Sequence, residues 1–323
     1  MPQAIVVSVN GGPEVLVPTE VPARSPGAGE VLVRVAAAGV NFIDTYQRAG
    51  IYKVPTPFTP GMEGAGTVEA VGADVTELAV GDRVAWAQSI GSYAEQAVVP
   101  AAWAVRVPDE VPDDTAGATL LQGLTAHYLV TSTYPVVEGD TVLVHAAAGG
   151  VGLLLVQLAK ARGATVIGTV STPDKERLAR EAGADEVIRY TEEDFVTRTR
   201  TLTNGEGVAA VYDGVGATTF DGSLATLRPR GVLALFGAAS GPVPPVDPQR
   251  LNAAGSVFLA RPSLAHHLAT PEENRWRVDE VLGAVARGEL HVNITGRYAL
   301  ADARRAHEDL ESRKTTGKLL LLP

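Results

Sequence analysis

The chain of 323 residues carries a net charge of −10, with 46% hydrophobic and 20% charged residues; this excludes global disorder and suits about two domains. It has no cysteine, which removes disulfides, thiolate catalysis, cysteine-ligated clusters and Cys-rich zinc sites, so any redox role needs a bound cofactor. The acidic balance argues against non-specific binding to nucleic acid or an acidic membrane, but not against phosphate held by a local lysine or a helix N-terminus.

Residues 1–110 read as short strands and turns. Segments 4–9, 30–38, 64–71 and 82–86 are rich in valine and alanine, and Gly72, Asp74 and Gly81 mark turns, which predicts a curled, partly antiparallel sheet. The opening MPQAIVVSVNGG lacks a basic region followed by an apolar core. The apolar stretch 142–161 is broken by Gly149, Gly150 and Gly152 and carries His145 and Lys160. A soluble, cytoplasmic protein is therefore expected.

The texture changes near Pro112. Asp113 or Asp114 caps a helix through 116–121, and 123–131 either continues it or forms a second helix after a break. Strands are then predicted at 141–145, 165–170, 186–189, 209–213, 231–236 and 256–259. Helices are predicted between them at 151–161, 173–182, 192–202 and 218–227. Such alternation implies a parallel sheet covered on both faces, and right-handed crossovers favour a doubly wound α/β arrangement. Segment 237–248 reads as a loop, 271–288 and 301–312 as helices. The run 318–322 reads as a last strand returning to the first domain.

The sharpest signal is VLVHAAAGGVG (142–152), a buried strand running into a helix. Ala147, Gly149 and Gly152 take the three small-residue positions of a dinucleotide turn, with alanine replacing the first glycine. Gly149 lets backbone approach a pyrophosphate, Gly152 lets helix pack on strand, and the helix N-terminus offers N–H donors to the anion. The competing reading is a tight turn without a ligand. The tip of the next strand, Thr169 to Lys175, presents a hydroxyl and a lysine where an NAD-specific site has a carboxylate. Ser171 with Lys175 therefore favours NADPH, the alternative being a surface role for Lys175 and a capping role for Asp174. Asp213-Gly214-Val215-Gly216 and Phe236-Gly237-Ala238 fall at the same carboxyl edge, with Asp213 read as a cap or turn residue.

No metal site is expected. His127, His266, His267, His291 and His307 are scattered and read as surface histidines, and His145 reads as packing or a cofactor contact. There is no G-x-S-x-G elbow. In GVNFIDTYQRAG (39–50), Asn41 follows a strand, Asp44 caps a short helix, and Asn41 and Tyr46 offer neutral hydrogen bonds that orient a carbonyl; Tyr46 reads equally as a core or rim tyrosine.

Several strings together resemble the zeta-crystallin-like quinone oxidoreductases, within the zinc-independent branch of the medium-chain dehydrogenase/reductase superfamily. They are NFIDTYQRAG (41–50), GMEGAGTVEAVG (61–72), GDRVAWA (81–87), LLQGLTAHYL (120–129), HAAAGGVG (145–152), YDGVG (212–216) and RAHEDLESRKTTGKLLL (305–321). The resemblance implies a GroES-like, mainly β partial-barrel domain (1–120 with 289–323) and a Rossmann domain (121–288), with NADPH in the cleft between them. It also implies a homodimer, and edge pairing through 256–259 fits that.

On the same resemblance, Asn41, Tyr46 and Thr125 line the nicotinamide region, with Asn41 and Tyr46 as the catalytic pair. Ala148, Gly149, Gly150, Val151 and Gly152 form the pyrophosphate turn, and Ser171, Lys175 and Tyr190 hold the 2′-phosphate. Val215, Phe236, Gly237, Ala238, Phe258, Arg261 and Arg313 complete the wall. Met62-Glu63 departs from zinc-dependent relatives, which have a histidine before the glutamate; methionine does not replace that ligand. The implied activity is hydride transfer from NADPH to a small-molecule quinone, with Asn41 or Tyr46 addressing the oxygen where charge develops and water supplying the proton. The alternatives are an alkenal or enone reductase and a non-catalytic nucleotide- or RNA-binding protein.

Overall fold

The computed structural model describes residues 1–323 and divides them into two units, Met1–Leu124 with Asn274–Pro323, and Thr125–Glu273. In chain order the first unit begins with β1 (Gln3–Val6), β2 (Val17–Glu20), β3 (Glu30–Val40) and α1 (Phe42–Arg48). Strands β4 (Glu63–Val71), β5 (Arg83–Ala87), β6 (Gln96–Pro100) and β7 (Ala104–Arg106) follow, then α2 (Asp113–Tyr128). β1 and β2 form a separate antiparallel ribbon. In β3, Val33, Val35 and Ala37 are buried while Arg34 and Ala36 are exposed, the alternation of a strand with one face on a core. That core gathers Ile5, Val84, Trp86, Tyr93, Leu319 and Leu321.

The second unit alternates as its sequence predicts: β8 (Thr141–Val144), α3 (Gly150–Lys160), β9 (Thr165–Val170), α4 (Pro173–Glu181), β10 (Glu186–Arg189) and α5 (Phe195–Leu202). It continues with β11 (Val208–Asp213), α6 (Phe220–Thr226), β12 (Leu227–Leu235), α7 (Gln249–Ala253) and β13 (Phe258–Ala260). All pairings are parallel, in the order β10-β9-β8-β11-β12-β13. The order reverses between β8 and β11, so right-handed crossovers run in opposite directions from that point and clothe both faces: a doubly wound sheet with a switch point at the end of β8. The chain then forms α8 (Pro271–Ala286), β14 (Ile294–Ala299), α9 (Ala303–Glu311) and β15 (Lys318–Leu322). β15 returns to the first unit, antiparallel to β3 and parallel to β14. The resulting sheet runs β14-β15-β3-β4-β5-β7, with β6 also on β3.

Of the two readings of 113–131, the continuous helix holds: residues 113–128 form one helix, followed by a π turn over Leu129–Thr133. One expectation is corrected: His127 and His307 are buried, not on the surface. No helix is long and apolar enough to cross a membrane.

Candidate functional site

At the switch point β8 stops and its chain turns sharply. Ala146 adopts a left-handed φ of 50°, Gly149 N–H bonds the Ala146 carbonyl at 2.8 Å, and α3 begins at Gly150. A Cβ on Gly152 would lie 2.3 Å from the Ala146 oxygen and 2.9 Å from the Ala147 Cα, so only glycine lets the helix start this close to the strand. Helix geometry leaves the N–H groups of Gly150, Val151 and Gly152 without intrahelical acceptors. The first turn of α3 carries no acidic side chain, so its positive dipole end is not neutralised from within. This backbone cradle fits a diphosphate.

The other loops from the carboxyl edge of the sheet bring the remaining polar groups. Ser171 follows β9, and Thr172 caps α4 by accepting Lys175 N–H at 3.3 Å. The half-buried Lys175 has its ammonium pushed below the usual lysine range by desolvation. Tyr190 N–H bonds Val170 O at 3.1 Å and the Thr191 hydroxyl bonds Ser171 O at 3.0 Å, so Ser171, Lys175 and Tyr190 share one corner. Asp213 is a turn residue. Its carboxylate accepts the N–H groups of Val215 and Gly216 and the hydroxyls of Thr219 and Ser223. Phe236 N–H bonds Asp213 O, which sets Val215 beside Phe236, Gly237 and Ala238. Arg261 follows β13.

Phe258 is not brought to this edge. It opens β13 opposite Val232, is 61% exposed, and lines a groove with Glu206, Arg228, Pro229 and Arg230. Thr125 is buried in α2, and Arg313 lies in the other unit, in the left-handed turn between α9 and β15. His145 is a packing residue. Its Nδ1 meets the Thr169 hydroxyl at 2.9 Å and its Nε2 the Ser223 hydroxyl at 3.0 Å, edge-on to Phe195. The Ser223 proton goes to Asp213, so Nε2 donates; burial keeps the ring neutral by pushing its pKa down.

In the first unit Asn41 is the N-cap of α1 and Tyr46 lies within that helix. Tyr46 packs against Phe42 and edge-on against Tyr52, at ring centroid distances of 6.4 and 5.5 Å. Asn41 is buried and held by both backbone and side-chain contacts. Its backbone N–H donates to Asp44 Oδ2 at 2.8 Å, and its Nδ2 donates to Gly39 O at 3.2 Å. Its Oδ1 accepts from Lys318 Nζ at 2.7 Å and Gln122 Nε2 at 3.3 Å. Lys318 Nζ is also 2.6 Å from Glu63 Oε1, a pair whose side chains are 1% and 0% exposed. Met62 is buried, its sulfur accepting from Gln47 Nε2 at 3.3 Å. No group of three histidine, aspartate or glutamate side chains is spaced to hold a metal ion.

A second buried chain leads away from Asp44. Arg48 Nη1 lies 3.0 Å from His307 Nδ1, His307 Nε2 lies 3.0 Å from the Tyr93 hydroxyl, and that hydroxyl donates to Asp44 Oδ2 at 2.9 Å. Arginine only donates, so His307 accepts at Nδ1 and donates at Nε2, and every proton in the chain points toward Asp44. Burial and the Arg48 guanidinium push His307 down to about 3, and burial raises Tyr93 well above the usual phenol range. Burial lifts Asp44 to about 7, against the opposing pull of Asn41 N–H, Tyr93 and Lys318 and with the help of Glu63.

A carboxyl whose folded pKa is raised contributes stability that is full below pH 4 and is lost as pH rises toward about 7. His307, depressed, works in the opposite sense below pH 6.5. The nearly isosteric Asp44→Asn isolates the first effect. Relative to the variant, the wild type should lose stability between pH 5 and pH 8; parallel denaturation curves at the two pH values would contradict the Asp44 shift.

Sequence reading found Asn41 but missed Lys318, Glu63 and Gln122 as its partners. Lys318 was absorbed into the apolar run of the last strand. The available signal was a lysine opening an otherwise all-leucine strand.

A zinc-binding dehydrogenase model matches residues 150–270, and an alcohol dehydrogenase GroES-like domain model matches residues 27–109. A quinone oxidoreductase from Pseudomonas aeruginosa is 47% identical over 325 residues, covering 100% of both chains. The solved structure of a mycobacterial protein complexed with NADPH is 57% identical, with a TM-score of 0.96, over 99% of this chain and 100% of that one. The Escherichia coli quinone oxidoreductase complexed with NADPH is 43% identical, with a TM-score of 0.97, over 99% and 100%. Likeness of this depth over the full length, with the metal ligand position filled by Met62 and the dinucleotide turn intact, makes the chain a member of the zeta-crystallin-like quinone oxidoreductase family, in the zinc-independent branch of the medium-chain dehydrogenases/reductases.

Proposed function

We propose that this protein reduces quinones with NADPH. The observation that carries the reading is the backbone cradle at Gly150–Gly152, closed by Gly152 against Ala146 and opening at the switch point of a parallel sheet. When bound, the coenzyme supplies a hydride from C4 of its nicotinamide. The chain's own work is to hold and orient. Gly150, Val151 and Gly152 take the diphosphate on backbone N–H groups, with Ala148 and Gly149 completing the turn beneath it. Lys175, with Ser171 and Tyr190, pairs with the 2′-phosphate. Val215, Phe236, Gly237, Ala238, Arg261, Thr125 and Arg313 are assigned to the remainder of the coenzyme. Phe258 is left out of that set, because its place in β13 faces a different groove.

Asn41 donates from Nδ2 to the oxygen on which negative charge develops, and Tyr46 lines the quinone beside it. Water supplies the proton, so no obligatory protein acid is assigned. We also assign residues 1–120 with 289–323 to the substrate and 121–288 to the coenzyme, and place the enzyme in the cytoplasm. Phe258, exposed on an unpaired edge strand, suits a homodimer joined along β13. Light scattering at micromolar concentration should return twice the chain mass, and a strictly monomeric solution would remove the dimer.

The test is a steady-state panel of NADPH and NADH against quinones and α,β-unsaturated carbonyls. NADPH oxidation should be fast with quinones and slow with enones. The reverse order would make the protein an enone reductase, and no turnover with tight coenzyme binding would leave a non-catalytic binder. Lys175→Ala removes one charge-assisted contact and should weaken NADPH by about 10- to 100-fold while leaving NADH unchanged. An equal loss for both coenzymes would take Lys175 off the 2′-phosphate.

A further inference from the structure

Sheet register places two charged side chains beside one amide. β15 pairs with β3 as Leu319 to Val40, so the next step sets Lys318 opposite Asn41. β4 pairs with β3 as Gly64 to Ala38, so Glu63 falls opposite Gly39. A Cβ on Gly39 would lie 2.2 Å from Glu63 Oε1; the glycine leaves the room that the carboxylate fills. Glu63 Oε2 accepts Leu121 N–H at 2.8 Å, which anchors the carboxylate to α2. Replacing a buried ion pair by an apolar pair of similar volume is often neutral or even stabilising. Its position against Asn41 therefore calls for a role other than holding the sheet.

We propose that Lys318, held by Glu63, is a positioning residue that fixes and polarises the Asn41 amide for quinone reduction. This rests on the function proposed above. With the ammonium on Oδ1, the amide has one orientation, since a flipped amide would set NH2 against NH3+. One Nδ2 hydrogen goes to Gly39 O, and the other has no partner in the chain. Charge drawn toward Oδ1 makes that remaining N–H a stronger donor. The ammonium thus acts on the reaction through Asn41 without touching the substrate.

The test is a double-mutant cycle that removes both charges together, E63Q with K318M, with and without N41A. Replacing the pair should lower kcat for a quinone by about 10- to 100-fold, less than the roughly 10²- to 10³-fold of an oxyanion donor removed outright, with the KM for NADPH within about threefold. Adding N41A to the pair should cost nothing beyond N41A alone. Losses that multiply, or a pair variant with wild-type kcat, would overturn the proposal. E63Q with K318Q keeps a donor facing Asn41 and should retain most of kcat, and it serves if the methionine variant fails to fold. The Asn41 side-chain amide resonances, identified by their loss in N41A, give a readout independent of turnover. They should be two resolved, slowly exchanging protons in the wild type and should average or shift in the pair variant; unchanged resonances would also overturn the proposal. A wild type that reduces no quinone sinks the function, while these resonances still decide the positioning.

Discussion

Gly152→Val should abolish measurable NADPH binding, lowering affinity at least 100-fold while the mainly β unit stays folded. The added Cβ alone would meet the Ala146 carbonyl oxygen at 2.3 Å and the Ala147 Cα at 2.9 Å, and both are backbone atoms that cannot rotate away. The start of α3 must therefore lift off the end of β8. The N–H groups of Gly150–Gly152 lose their common aim, and the dipole end moves with them. Each hydrogen bond to a charged group is worth about 1.5–3 kcal/mol, so losing two amounts to roughly 10²- to 10⁴-fold. Gly149→Ala is the informative companion. Its nearest neighbour would be the Ala146 oxygen at 3.1 Å, a strain that small shifts relieve. It should melt close to wild type yet bind NADPH about tenfold more weakly, because the new methyl stands where backbone approaches the diphosphate. Calorimetric titration of both variants measures this, and full affinity in Gly149→Ala would move the diphosphate away from the turn.

That turn was legible because one short segment carries all of its determinants. The buried strand, the small residues and the helix start are contiguous, and backbone geometry does the binding. The strands beside it, β9 and β10, start and stop where their sequence patterns do, and so does β15 in the first unit. The first unit was read less completely. β2, β6, β7 and β14 are strands of 4, 5, 3 and 6 residues, too short for their local pattern alone to mark them as strands. Gly123 left open whether the helix continues or breaks; α2 runs through it, and its missing Cβ makes room for Val281, to which a Cβ there would come within 2.7 Å. His307 was read as a surface residue because nothing near it in sequence announces Arg48 or Tyr93. The same limit hid the pairing of Glu63 with Lys318, in which a charge opens an apolar strand and its partner lies two strands away across the sheet.

That pair sets the second large expectation, on stability. Lys318→Met alone should destabilise the protein by about 3–5 kcal/mol, because it leaves the Glu63 carboxylate buried with only Leu121 N–H for company. Spread over the first unit, such a loss should lower its melting temperature by roughly 10 °C. Adding Glu63→Gln to Lys318→Met should restore most of the loss. The neutral amide still accepts from Leu121, and no uncompensated charge remains in the core. A second substitution that stabilises a first has one physical source, the removal of the stranded charge, and calorimetry of the two singles and the double isolates it. The exposed pair Arg177–Glu181, at 2.7 Å with side chains 60% and 57% exposed, is the control: Arg177→Ala should cost less than about 1 kcal/mol despite similar geometry. If Lys318→Met melted like Arg177→Ala, water would be reaching Glu63, and neither the ion pair nor the fixed amide of Asn41 would be enclosed as described.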